Sequence, residues 1–181
     1  MALKSTIYKA DLQVADMDRH YYGTHALTIA RHPSETDERM MMRLLAYALH
    51  ADEALRFGKG LSADEEPDLW QKDLTGAVER WIEVGQPDDR RMLKASRQAG
   101  AVFVYSYGGS ANWWNQMADR VARIGNLAVF DLPAASSRAL AALARRSMQV
   151  QCTIQDGQVW MHAGDESVAM ELTVLKEMPR R

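Results

Sequence analysis

Two acidic residues fifteen positions apart, Asp68 and Glu83, are the first candidates for chemistry. Asp68 follows Pro67, which cannot donate to a sheet ladder, so a strand is predicted to begin there. Glu83 lies between Ile82 and Val84 in a second predicted strand, where an ionised carboxylate is costly unless it is compensated. A Mg²⁺ ion would compensate both acids, because it binds one or two carboxylates together with water and phosphate oxygens. Pairing with an arginine, or exposure to water, is the alternative.

A cation follows the two acids along the chain. Lys94 comes eleven residues after Glu83, in a helix predicted to follow the strand directly. The first turns of such a helix stay near the carboxyl end of the strand, where α/β sheets place their sites. Lys94 is therefore predicted to reach toward the acidic pair, and a lysine that faces solvent is the alternative.

The local charges agree with a metal site that receives a phosphate-bearing substrate. Residues 51–68 contain six acidic and two basic residues, whereas residues 90–97 contain four basic residues and no acid. An acidic pocket beside a basic helix suits such a site. Two solvated surfaces would give the same pattern, so charge alone leaves both interpretations open.

The elements that must position these residues can be predicted from the pattern of the chain. Strands at 68–70 and 79–84 are expected to pair as a hairpin around the turn 74–76. Pro87 is predicted to open a helix that Gly100 ends, and residues 101–105 read as a buried strand. Residues 79–105 thus form a predicted β-α-β unit with parallel strands.

The rest of the chain is predicted to alternate between strands and helices. A helix capped by Ser34 should run to His50 or to about Phe57. The other predicted strands are 7–14, 22–30, 127–130, 148–154, 159–162 and 168–174, and the other predicted helices follow Ser110 and span 134–146. We therefore predict one α/β domain over residues 1–181, with a mixed sheet flanked by helices and additional antiparallel strands from both terminal segments.

Composition narrows the class of protein. A chain of 181 residues with 47% apolar and 25% charged residues is typical of a globular protein, which excludes disorder. A net charge of −2 excludes a strongly basic nucleic-acid coat. The sequence contains neither a signal peptide nor an apolar run of the ~18 residues that a membrane helix needs, so we expect a cytoplasmic protein with no membrane partner. The single cysteine, Cys152, is predicted to pack in the core.

Four runs of sequence resemble the YaeQ family of bacterial proteins, and the likeness extends over nearly the whole chain. They are Gly-Leu-Ser-Ala-Asp-Glu-Glu-Pro-Asp-Leu-Trp at 60–70, Trp-Ile-Glu-Val-Gly-Gln-Pro-Asp at 81–88, Lys-Ala-Ser at 94–96 and Val-Tyr-Ser-Tyr at 104–107. The resemblance implies the restriction-endonuclease-like PD-(D/E)XK fold, in which a Pro-Asp and a later Glu-X-Lys hold Mg²⁺ and activate water. Pro67-Asp68 would be the first element and Glu83-Val84-Gly85 the second.

The resemblance also implies roles for individual residues. Asp68 and Glu83 would bind Mg²⁺ or Mn²⁺. Position 85, where the motif has its lysine, is Gly85 in this chain, and Lys94 would take the place of that lysine. Gln86 and Glu53, the latter from the preceding helix, are further candidates for the site. The implied function is metal-dependent hydrolysis of phosphodiester bonds in a nucleic acid. The alternative is a module without catalytic activity that binds nucleic acid or a protein partner through a decayed nuclease site.

Overall fold

The computed structural model describes residues 4–179, which form two compact units. The first unit contains the described residues up to Ala51 and residues 135–172, and the second contains residues 52–134 and the described residues from Thr173 onward. In chain order the elements are β1 (Thr6–Asp16), β2 (Tyr21–Arg31), α1 (Asp37–Leu49), β3 (Leu55–Phe57), a 3-10 turn (Gly60–Ser62), β4 (Leu69–Lys72), β5 (Val78–Val84), α2 (Asp89–Gln98), β6 (Ala99–Tyr107), α3 (Ala111–Val121), β7 (Leu127–Leu132), α4 (Ala134–Ala141), β8 (Ser147–Gln155), β9 (Gln158–Ala163), β10 (Glu166–Glu171) and β11 (Thr173–Lys176). The assignment of residues 1–181 to one domain stays a prediction, and its first three and last two residues lie outside the described part.

The first unit is built on a five-stranded mixed sheet in the order β10-β9-β8-β1-β2. Strand β1 pairs parallel with β8, and the other neighbours pair antiparallel. Alternation along β1 buries one face, which carries Leu12 and Val14, as the period of two requires. Cys152 is buried as predicted, and burial raises the pKa of its thiol to about 12, so it packs as an apolar residue.

The second unit is built on a six-stranded mixed sheet in the order β11-β7-β6-β5-β4-β3. Strands β5, β6 and β7 are parallel, and the remaining neighbours are antiparallel. The core on one face joins this sheet to α2 and α3 and contains Trp81, Met92, Ala95, Val102, Val104, Met117, Val121, Leu127 and Val129. The predicted β4–β5 hairpin and the parallel β5-α2-β6 unit are both confirmed.

Several predicted boundaries are wrong for local reasons. Thr36 rather than Ser34 caps α1, because the Thr36 hydroxyl accepts from Arg39 N–H (3.1 Å) while the Ser34 hydroxyl bonds His32. Helix α1 ends at Leu49 with His50 as its C-cap, which confirms the first of its two predicted ends, whereas the alternative end near Phe57 is wrong because those residues form strand β3. Likewise α2 begins after Asp88, whose carboxylate caps Arg91 N–H (2.8 Å), rather than at Pro87.

Three predicted boundaries later in the chain are also wrong. Gly100 lies inside β6 instead of ending α2, and α4 ends at Ala141, before the predicted residue 146. The predicted strand 168–174 is two strands in different sheets, since β10 pairs with β9 while β11 pairs with β7. The outcome is two mixed sheets flanked by helices. Across the part of the chain that the structure describes, no helix is long and apolar enough to cross a membrane.

Candidate functional site

The structure brings the two predicted acids together across the β4–β5 hairpin. Leu69, the first residue of β4, pairs with Ile82, so Asp68 in the bend just before β4 and Glu83 on β5 lie at the same end of the hairpin. Both residues are buried, with relative exposures of 1% for Asp68 and 5% for Glu83. Val84 N–H donates to Asp68 Oδ2 at 2.8 Å and orients that carboxylate. The hairpin thus presents two buried carboxylates side by side.

Glu83 has two hydrogen-bond donors on one oxygen. Trp81 Nε1–H and Arg91 Nε–H both donate to Glu83 Oε1, each at 2.8 Å. Burial raises the pKa of Glu83, the negative Asp68 raises it further, and Arg91 and the Trp81 bond act in the opposite direction. The pairing with an arginine that the sequence left open is therefore present at Glu83.

The raised pKa gives stability a defined pH dependence. The pKa of Glu83 in the folded protein is higher than its ordinary value of 4.5. Between these two pKa values the folded state binds more protons than the unfolded state, so the free energy of unfolding falls as pH rises through this range. We expect wild type to lose stability relative to Glu83→Gln from about pH 4.5 toward neutrality. Urea denaturation at several pH values measures this difference. If the free energy of unfolding of wild type instead rises relative to that of Glu83→Gln as pH increases, the prediction is wrong. Glu65→Gln, at an exposed position, is the control.

Arg91 is the site residue that the sequence interpretation missed. Besides Glu83, its guanidinium donates to the carbonyl oxygens of Asp64 (2.7 Å) and Glu66 (3.2 Å). One side chain of α2 therefore ties the segment before Asp68 to the carboxylate on β5. The available signal was its place in the basic run 90–97, immediately before the buried Met92.

The segment before β4 is shaped around Asp68. Gly58 N–H donates to Asp68 O at 2.9 Å, which fixes the backbone at the start of the strand. Gly60 has φ +48°, and a Cβ on it would lie 2.5 Å from Asp68 Oδ1. A glycine at this position lets the chain approach the carboxylate more closely than any other residue allows.

The other predicted site residues do not join this pair. Lys94 is exposed on α2, one helical turn beyond Arg91, and within residues 4–179 it makes no hydrogen bond or ion pair with either acid. Gln86 Nε2 lies 3.4 Å from Gly109 O. Glu53 is exposed in the turn after α1, so its predicted place on the preceding helix is wrong, because that helix ends at Leu49. The catalytic roles of these residues stay predictions.

Gly85, where the motif would have lysine, has an unusual backbone. Its φ is +112°, and apart from Gly85 and its two chain neighbours no atom of the described residues lies within 4 Å of a Cβ built there. A lysine would have room, but it would have to adopt a conformation that costs about 1–3 kcal/mol in an L residue. The glycine is thus matched to the turn that leaves β5.

The donor set of the acidic pair fits a hard divalent cation. Two neighbouring carboxylates provide the oxygen ligands that Mg²⁺ and Mn²⁺ prefer, with water or phosphate oxygens completing the shell. Within the described residues, no group of three or more His, Cys, Asp or Glu side chains is arranged to hold a metal. A metal at Asp68 and Glu83 would therefore use two protein carboxylates.

The fold and the site define an α/β protein with a buried acidic pair on a hairpin. The family described as YaeQ protein matches residues 1–172, so the chain belongs to the YaeQ protein family. "Uncharacterized protein YaeQ" of Salmonella typhi is 45% identical over 98% of this chain and 99% of its own, and the protein of that name from Escherichia coli (strain K12) is 44% identical over the same shares.

Solved structures agree with the fold. The crystal structure of YaeQ protein from Xanthomonas axonopodis pv. citri matches with a TM-score of 0.91 and 48% identity, covering 94% of this chain and 97% of that one. The YaeQ protein from Pseudomonas syringae matches with a TM-score of 0.91 and 37% identity, covering 96% and 97%. A mixed α/β fold with two mixed sheets flanked by helices is therefore shared with these YaeQ structures.

Proposed function

We propose that this protein is a metal-dependent phosphodiesterase that acts on nucleic acid, with a PD-(D/E)XK-like site. The observation that carries the proposal is the buried pair of carboxylates at one end of the hairpin, Asp68 just before β4 and Glu83 on β5, which are close enough for the charge of Asp68 to raise the pKa of Glu83. Two ionised carboxylates that are buried close together repel each other, and a divalent cation bound between them offsets that repulsion. Pro67-Asp68 before β4 and Glu83 near the end of β5 also agree with the two elements of that motif.

Each residue of the proposed site would have its own role in the reaction. Asp68 and Glu83 would hold Mg²⁺ or Mn²⁺, which when bound supplies Lewis-acid activation of the phosphodiester. The Val84 N–H bond orients Asp68, and the Arg91 and Trp81 bonds orient Glu83, so both ligands are preorganised. Lys94 would offset negative charge that develops on the phosphate, and would orient the attacking water from α2.

A binding module without catalysis is the second candidate. It is favoured by the ion pair between Glu83 and Arg91, which partly neutralises Glu83 in the metal-free protein. The glycine at position 85 and the exposed Lys94 also favour it, since among the described residues no hydrogen bond or ion pair joins Lys94 to either acid. Such a module would retain a nucleic-acid or protein partner after the acids are neutralised.

A cleavage assay separates the two functions. Labelled single-stranded and duplex DNA and RNA are incubated with Mn²⁺ and wild type, Asp68→Asn or Lys94→Ala. We expect Asp68→Asn to lose at least about a hundredfold in rate while staying folded, because asparagine still accepts from Val84 N–H. Equal rates for wild type and Asp68→Asn would overturn the hydrolytic proposal. Full activity in Lys94→Ala would remove only the role given to Lys94.

A further inference from the structure

We infer that a nucleic-acid strand contacts the protein along the β4–α2 flank, which we define as Trp70, Lys72 and Lys94. The inference rests on the proposed function and names the surface that would hold phosphates beside the acidic pair. The alternation of β4 puts Trp70 and Lys72 on one face, a spacing that Asp68 continues in the bend just before the strand. The register with β5 shifts between Gln71 and Lys72, but the Lys72 ammonium group still lies over the Trp70 ring. Along that face the side chains change from a buried acid to an exposed cation.

Trp70 gives the flank an ordered floor. Its ring meets Trp81 edge to face, with centroids 6.0 Å apart at 85°, and the Trp81 indole N–H is the donor to Glu83. Lys72 Nζ lies 3.9 Å from the centroid of the Trp70 ring. This cation–π contact holds the exposed ammonium group of Lys72 over Trp70, which is two residues along the chain from Asp68. Because Lys72 is exposed, its ammonium group can still bind an anion from solvent while it contacts the ring.

Helix α2 supplies the facing side. Met92 and Ala95 are its buried residues, and Asp89 on one flank pairs with Arg120 of α3 at 3.8 Å. The opposite flank carries Arg91, whose bonds to Glu83 and to the segment before β4 show that it faces β4. Helical spacing puts Lys94 on that same flank, one turn beyond Arg91. Two lysines on separate elements thus border one approach to the acidic pair.

Charge complementarity identifies the occupant as a phosphodiester backbone. Two acids of the hairpin are hydrogen-bonded within it, since Glu79 accepts from Gln71 Nε2 (3.1 Å) and Asp73 accepts from the Thr75 N–H (2.8 Å) in the β4–β5 turn, and within residues 4–179 neither acid forms an ion pair with Lys72 or Lys94. Lys72 and Lys94 remain available for phosphates, and lysine binds phosphate as a point charge. A strand on this flank would carry its phosphates past the edge of the site, beside the buried Asp68 and Glu83.

The test is fluorescence anisotropy with labelled oligothymidylate and with an abasic oligonucleotide of the same length, both in EDTA. We expect Lys72→Glu and Lys94→Glu each to weaken binding of both probes about tenfold and to flatten the salt dependence by about one ion. Lys9→Glu makes the same charge change on an exposed strand position of the first unit and is the matched control. All three positions are exposed, so the variants should fold, which circular dichroism checks.

Two results would overturn the inference. One is absence of oligonucleotide binding by wild type at low salt, and the other is a loss in the Lys72→Glu and Lys94→Glu proteins no greater than in Lys9→Glu. Because the assay contains EDTA, a protein that binds no metal can still show the predicted losses. If the lysine variants bind oligonucleotide as well as wild type does, the flank is wrong, and the proposed function is still tested by the cleavage assay and by metal binding at Asp68.

Discussion

Arg91→Met should lower the free energy of unfolding by about 2–3 kcal/mol at neutral pH. The substitution leaves the Glu83 carboxylate, whose side chain is only 7% exposed, without its cation, and it removes the bonds to Asp64 O and Glu66 O. Arg91 itself is 28% exposed, which places the expected loss below that of a fully buried pair. Urea denaturation measures it, with Arg90→Met as the exposed control on the same helix.

The double variant Glu83→Gln/Arg91→Met tests the reason for that loss. If the cost comes from a buried carboxylate left without its partner, neutralising Glu83 should restore about 1–2 kcal/mol of it. Simple additivity of the two single substitutions would contradict this explanation. It would mean that Arg91 acts only through the two carbonyl oxygens of the segment before β4.

Gly60→Ala should also be strongly destabilising, by about 2–3 kcal/mol. Alanine at φ +48° pays a backbone cost of roughly 1 kcal/mol, and its Cβ would lie 2.5 Å from Asp68 Oδ1. Because that carboxylate is buried and bonded to Val84 N–H, it cannot move without losing a hydrogen bond. Thermal or urea unfolding measures the change.

A second glycine separates the backbone cost from the close contact. Gly157 has φ +75°, and apart from Gly157 and its two chain neighbours no described atom lies within 4 Å of a Cβ built there. Gly157→Ala should therefore show the backbone cost alone, about 1 kcal/mol. Equal losses in the two variants would mean that the segment at Gly60 shifts freely and does not constrain Asp68.

The acidic pair could be predicted from sequence because its signals are local. Pro67 marked the start of β4, and Glu83 stood out as a charge between Ile82 and Val84 in a strand that the structure confirms. The register of a short hairpin then follows from its turn. The β5-α2-β6 unit was predictable for the same reason, since its strands and helix follow one another directly along the chain.

The partner of Glu83 could not be predicted in the same way. Four basic residues in 90–97 compete for the role, and the choice depends on where α2 begins. The helix was predicted to begin at Pro87, but it begins at Asp89 with Asp88 as its cap. This start leaves Arg91 in the first turn, next to the end of β5, and sets Lys94 one turn away. The left-handed φ of Gly85 is likewise a property of the folded turn.

The most direct test of the account is calorimetric titration of Mn²⁺ into wild type and Asp68→Asn, with and without saturating oligothymidylate. The account predicts one binding event in wild type, strengthened by the oligonucleotide because phosphate oxygens complete the metal shell, and its loss in Asp68→Asn. Isotherms that are the same for the two proteins under both conditions would contradict a metal site at Asp68 and Glu83.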